Sequence, residues 1–155
     1  MTDQSHNIGF ALALRANSLA VRTALADTRV WLASRDLDET FCSTVEIAVA
    51  EALNNVVEHA YHRRHEAGFS LVVRPFGDTL FIEIRDKGHP MPDNRLPDTP
   101  PPEPGDNRAT LPEGGFGWHL IRSLADTLSY RREGEENCLV LGFAVPADRK
   151  QQERR

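Results

Sequence analysis

The sequence predicts an α+β fold, a two-layer sandwich in which helices cover one face of a mixed but mostly antiparallel sheet. Three observations carry this expectation. Two pairs of strand-like runs follow each other closely enough to be hairpins. Helical segments separate those pairs from each other and from a first strand. Eight of the ten prolines fall between Pro90 and Pro112, in a stretch that can be neither helix nor central strand.

Taken in order, Ile8 to Leu14 ("IGFALAL") reads as a first strand. Asn17 or Ser18 caps a helix running to about Ser34, with Leu19, Leu25 and Val30 among its apolar positions. "DLDET" (Asp36 to Thr40) opens a longer helix ending near Gly68. "FSLVVRPF" and "TLFIEIRD" are strands joined by Gly77-Asp78, a hairpin signal. The proline-rich segment is longer than an ordinary connection, and loops of that kind are functional or disordered. "EGGFGWHLIRSLAD" then reads as a Gly-rich turn feeding a helix, and "TLSYRRE" with "NCLVLGFAV" closes the domain. One domain is expected over residues 8–146, with residues 1–7 and 147–155 as flexible tails.

Composition narrows the function. With 155 residues, 40% apolar and 26% charged, the chain has the profile of a soluble globular domain. A formal net charge of -5 argues against a nucleic-acid partner, which needs a basic footprint. No apolar run approaches membrane-spanning length, and "MTDQSHNIGF" lacks the regions of a signal peptide. Two cysteines without paired spacing, Cys42 and Cys138, fit a reducing, cytoplasmic setting.

Three short patterns carry chemistry. In "EIAVAEALNNVVEHAY" two adjacent asparagines sit inside a helix, where Asn competes with the backbone for hydrogen bonds. Val45, Val49, Ala52, Leu53, Val56 and Ala60 share one face, while Glu51, Asn54, Asn55 and Glu58 gather on the other. Glu51 and Asn55 are one turn apart, so a carboxylate and an amide oxygen point the same way. Such a pair can hold Mg²⁺ or a water bound to it, although polar helix faces are also routine on solvent-facing helices. Asp86 ends a strand two residues before Gly88, which suits a carboxylate accepting from the exocyclic amine of adenine, or simply a turn. "GGFGWHL" opens a helix with glycines, which lets backbone N–H groups approach phosphate or makes a hinge.

Together and in this order, "AEALNNVVEHAY", "RDKGHP" and "GGFGWHLIRSLAD" resemble the N, G1 and G2 boxes of the GHKL (Bergerat) ATP-binding fold. That fold is shared by histidine kinases, MutL and type II topoisomerases. Within it the chain looks like the stand-alone anti-sigma factor serine kinases of the RsbW/SpoIIAB type, over about Ile8 to Val145. The resemblance implies Glu51 as general base and Asn55 as the Mg²⁺ ligand, with Asn54 and His59 beside them. It implies Asp86 and Gly88 at the adenine, and Gly115, Phe116, Gly117, Trp118, His119 and Leu120 along the phosphates. Residues 89–113 would be the ATP lid. Relatives often place a Thr by the adenine on the last strand; here Asn137-Cys138 stands there, with Cys138 the candidate contact, and Pro90 replaces a second G1 glycine. The implied activity is ATP-dependent phosphorylation of a STAS-domain anti-sigma antagonist, combined with sequestration of a sigma factor or other target by a homodimer.

Other patterns are weaker. His59, His62 and His65 drift around their helix, and no Cys or carboxylate pattern completes a zinc site. No nucleophile elbow is present. A nucleotide-holding module that acts by sequestration alone is the alternative, and retention of Glu51 argues against it. A histidine-kinase catalytic domain is disfavoured because only one helix precedes the Asn-bearing one, with no acceptor histidine in it.

Overall fold

A computed structural model describes residues 9–60, 67–98 and 115–147. The chain runs β1 (Phe10–Arg15), α1 (Ser18–Ala33), α2 (Glu39–Asn55), β2 (Gly68–Phe76), β3 (Thr79–Asp86), α3 (Gly115–Leu124), β4 (Thr127–Glu133) and β5 (Glu136–Ala144). This is the order expected from the sequence. The tails at 1–7 and 148–155, the histidines at 62 and 65, and lid residues 99–113 lie outside the described residues.

Local chemistry sets the helix starts. The Asn17 side chain accepts a hydrogen bond from Ala20 N at 2.8 Å, and Asp38 accepts one from Phe41 N at 2.8 Å. Each satisfies a backbone donor that the first helical turn leaves open. At its far end α2 passes into a single π-helical turn, Val56–Ala60, directly after Asn55. Such turns are rare and frequent at functional sites. Residues 61–66, over which the sequence reading continues this helix toward Gly68, lie outside the described residues.

The sheet has the order β1-β2-β3-β5-β4. The mixed sheet of the sequence reading is here wholly antiparallel, since each of the four pairings is antiparallel. Two-residue loops close both hairpins, and Gly77 supplies the positive φ of 58° that the first needs. β5 takes the interior position and β4 the edge. The reason is in their side chains: β5 is buried nearly throughout, whereas alternate β4 residues are exposed, including Arg131 and Glu133. Charged residues blunt an edge against further pairing.

One face of the sheet meets the helices. Leu71, Val73, Leu80, Ile82, Ile84, Leu139, Leu141 and Phe143 pack against α1, α2 and α3 in one core. Arg85 lies on the other face. It bridges Glu83 at 2.5 Å and Glu136 at 2.8 Å, and these partners push its pKa further above the ordinary arginine value. Among the described residues no helix is long and apolar enough to cross a membrane.

The sequence reading of α1 needs one correction. Leu19 and Val30 are 71% and 70% exposed, and only Leu25 of the three named positions packs on the core. The buried stripe is Ala20, Val21, Ala24, Thr28 and Leu32. Small side chains there let the helix lie close, and the buried Thr28 hydroxyl is satisfied by donating to Ala24 O at 2.7 Å. Truncating the two leucines tests this orientation by urea denaturation. Leu32→Ala should cost ~2–5 kcal/mol because it leaves a cavity. Leu19→Ala should stay within about 0.5 kcal/mol of the parent, as exposed substitutions do.

Candidate functional site

The first part of the site is where α3 begins against α2. A Cβ placed on Gly117 would lie 3.0 Å from Glu51 Oε2 and 3.8 Å from both Nδ2 and Oδ1 of Asn55. The opening turn of α3 therefore touches the carboxylate and amide that the helical spacing brings together. A side chain at 117 would have to displace Glu51, which gives this glycine a steric reason.

Asn55 Nδ2 is buried and has no hydrogen-bond partner, alone in this respect among the described residues. Leaving such a group unpaired costs roughly 1–3 kcal/mol, which makes this amide a candidate for contact with a ligand. An amide turned through 180° exchanges donor and acceptor, so the same position can donate to a phosphate oxygen or present an oxygen to a cation. Glu51 and Asn55 are hard oxygen donors, the kind Mg²⁺ takes. No group of three or more His, Cys, Asp or Glu side chains forms an all-protein metal cage among the described residues. That sparse donor set fits an ion that draws its remaining ligands from phosphates and water.

The second part is the end of β3. Asp86 is 7% exposed, and its Oδ1 accepts from Gly88 N at 2.8 Å and from Asn137 Nδ2 at 2.9 Å. Burial pushes its carboxyl above the usual range, and these two hydrogen bonds together with the nearby Arg132 partly oppose that shift. Asp86 and Gly88 line a groove of about 900 Å³ with Phe69, Lys87, Pro90 and Arg132. Glu51 and Asn55 are not part of that lining. Residues 61–67 connect the helix carrying the first part to the strand that pairs with β3.

The remaining candidates separate. Asn54 is exposed, whereas Glu51 and Asn55 are partly buried. Trp118 belongs to the core at 4% exposure, so its ring packs under the turn and is not a wall of the groove; His119 and Leu120 are partly buried. Gly115 and Phe116 open α3, and His59 lies in the π-helical turn. Cys138 is corrected by the strand register. It pairs with Arg85, while Asn137 pairs with Asp86, so alternation sends the Cys138 thiol to the face opposite the carboxylate. Burial raises the pKa of that thiol, as it does for Cys42 in the core.

Tyr130 and Arg132 are the polar residues that sequence reading passed over, and Asn137 entered it only as the neighbour of the candidate Cys138. The signal was present in the alternation of β5: Leu139, Leu141 and Phe143 face the core, and a polar Asn137 continues that series.

Comparison with known proteins assigns the chain to a family of ATPase domains. The model of the histidine kinase-like ATPase domain family matches residues 14–143. A serine-protein kinase RsbW of Bacillus velezensis is 34% identical over 83 residues, covering 53% of this chain and 52% of that protein. The corresponding protein of Staphylococcus epidermidis is 36% identical over 90 residues, 57% of each chain. The chain thus spans about half the length of the curated relatives it matches. A crystal structure of the RsbU and RsbW domains of a Mycobacterium tuberculosis protein superposes with a TM-score of 0.59. It covers 90% of this chain and 33% of that one at 17% identity, a likeness of fold.

The buried Asp86 has a consequence for stability. Its folded pKa lies above the unfolded value, so ionising it costs stability as pH rises through that window, and acidification removes the cost. Asp86→Asn keeps the acceptor for Gly88 N and Asn137. It should therefore be more stable than the parent at pH 7.5, and the gain should vanish near pH 3, as read by urea midpoints at the two pH values.

Proposed function

We propose that this chain, which belongs to the histidine kinase-like ATPase domain family, is an ATP-dependent protein serine/threonine kinase that also acts by sequestration. The observation that carries this reading is the contact of Gly117 with Glu51 and Asn55. It joins a glycine-opened helix start, a carboxylate and an unpaired amide within one site. The name serine-protein kinase borne by relatives at 34–36% identity supports it.

Each residue then has a task. Asp86 accepts the exocyclic amine of adenine, and the loop through Gly88 gives the base room. The N–H groups at the start of α3, from Gly115 onward, lie toward the phosphates, where a helix N-terminus favours negative charge. Asn55 would hold Mg²⁺, which neutralises charge on the transferring phosphoryl group. Glu51 accepts the proton of a serine or threonine hydroxyl, or orients that hydroxyl, as it attacks the γ-phosphorus. The bond from that phosphorus to the bridging oxygen breaks, and ADP leaves. Residues 89–113 serve as the lid that excludes water from this step. Phosphoryl transfer needs positioning and charge neutralisation more than covalent help, so a site this sparse suffices.

The protein substrate proposed is a STAS-domain anti-sigma antagonist, and the sequestered target is a sigma factor or an equivalent partner. The working form is a cytoplasmic homodimer. A silent nucleotide-holding module would have no use for a carboxylate kept against the glycine of α3.

Mixing the protein with Mg-ATP and a STAS-domain partner from the same genome tests this directly. Glu51→Gln should lower phosphate transfer at least ~10²-fold, the usual scale for a general base, while ADP affinity changes less than about threefold. Asn55→Ala should instead abolish the Mg²⁺ dependence of nucleotide binding. Wild-type ATP binding without transfer to any STAS partner would favour the module.

A further inference from the structure

The stripe of α1 that the core leaves out has an order of its own. Leu19 and Val30 are 71% and 70% exposed, and Thr23, Ala26 and Ala33 are exposed with them. Along the chain these five positions are spaced four, three, four and three apart. They form one narrow stripe on the side of the helix opposite Ala20, Ala24, Thr28 and Leu32. A stripe of that period is what a second helix packs against, with Leu19, Ala26 and Ala33 as d positions and Thr23 and Val30 as a positions. A helix needs only one apolar face to hold it on a core, so the second face asks for a partner.

Two charges flank the stripe. Arg22 precedes an a position and Asp27 follows a d position, which are the g and e sites of a heptad. Both are exposed, and neither is paired among the described residues. Arg29, at the next g site, is already engaged by Glu39 and by Glu46 at 3.2 Å. When two such helices run parallel and in register, the g side chain of one meets the e side chain five residues on in the other. That is the separation of Arg22 and Asp27, so parallel pairing creates two contacts of opposite charge. Antiparallel pairing would instead bring g to g and e to e, like charge beside like charge. We infer that this stripe is the surface through which two copies of the chain pair, α1 against α1, parallel and in register about a two-fold axis. A partner of another sequence would need no match between Arg22 and Asp27, whereas a second copy does. Thr23 and Ala26 are small enough to let the axes come close, while Leu19 and Val30 each meet their own copy. The inference rests on the homodimer of the proposed function and deepens it by naming the surface and its register. With α1 only 16 residues long the interface is small, and a dissociation constant in the micromolar range is expected.

The test is sedimentation equilibrium of the full chain at low ionic strength, where charge pairs are least screened. The wild type should be a dimer at roughly 10–100 μM. Arg22→Glu and Asp27→Arg each set like charges together at both contacts, and each should weaken the dimer at least ~10-fold. In a mixture of the two variants both contacts regain opposite signs, so dimers should reappear, as they should in the double variant. Ala26→Cys gives an independent readout, because residue 26 faces its own copy across the axis, and mild oxidation should link it into covalent dimers. Cys42 and Cys138 are buried and leave the background low. All three substituted positions are exposed, so the variants should keep the far-UV circular dichroism of the parent. Dimers that persist unchanged in the single charge variants, or an Ala26→Cys chain that does not cross-link, would overturn the inference and leave the homodimer intact. Weakened single variants whose mixture does not recover would overturn it as well. A wild type that stays monomeric throughout would overturn the inference and the homodimer together.

Discussion

The arrangement of this molecule depends on α2 being gripped on one face and used on the other. Val45, Ala48, Val49, Ala52 and Leu53 are all essentially inaccessible, held between the sheet and the neighbouring helices. Burial of that stripe leaves the helix little freedom to roll, because turning it would expose apolar area at about 25 cal/mol per Å². Glu51 and Asn55 inherit this rigidity. Their separation is set by one helical turn, and their direction by the packing of residues that touch no ligand. The start of α3 can meet them because residue 117 has no side chain.

Such a frame concentrates its unfavourable polar groups in two places. Asn55 keeps an unpaired buried nitrogen at the point where α2 turns π-helical. Asp86 keeps a buried carboxylate where β3 ends. Both sit at the end of an element whose buried side chains are otherwise apolar: Phe41, Val45, Val49 and Leu53 in α2, Leu80, Ile82 and Ile84 in β3. Groups that violate the pattern of a well-packed domain tend to be its working parts, and here they belong to the helix and strand the rest of the core holds most firmly.

Much of this was legible in the sequence, for definite reasons. The period of 3.6 in α2 separates the core face from the polar face carrying Glu51 and Asn55, since apolar residues and polar ones fall on opposite sides. The hairpin at Gly77-Asp78 is encoded locally, by a glycine where positive φ is required. α1 was harder, because two stripes compete. Leu19 and Val30 are larger than Ala20 and Ala24, yet the alanines face inward with Leu32, where close approach of the helix matters more than side-chain size. Trp118, which the resemblance sets along the phosphates, has its ring in the core.

The strand pairing was beyond reach from local signals, and the second half of the site depends on it. Asp-x-Gly at a strand end is a weak motif, as common in plain turns as in binding sites. It gains meaning from the register of β3 on β5, which sets Asp86 opposite Asn137 although 51 residues separate them. A register shifted by one residue would put Cys138 there instead, turning a donor amide into a thiol and leaving the carboxylate without its partner. The alternation within β5 prevents this slip. Leu139, Leu141 and Phe143 can be buried together in only one register parity, and that parity carries Asn137 to Asp86. The hydrophobic core therefore selects the polar contact: three apolar residues with no role in recognition decide which side chain meets the carboxylate.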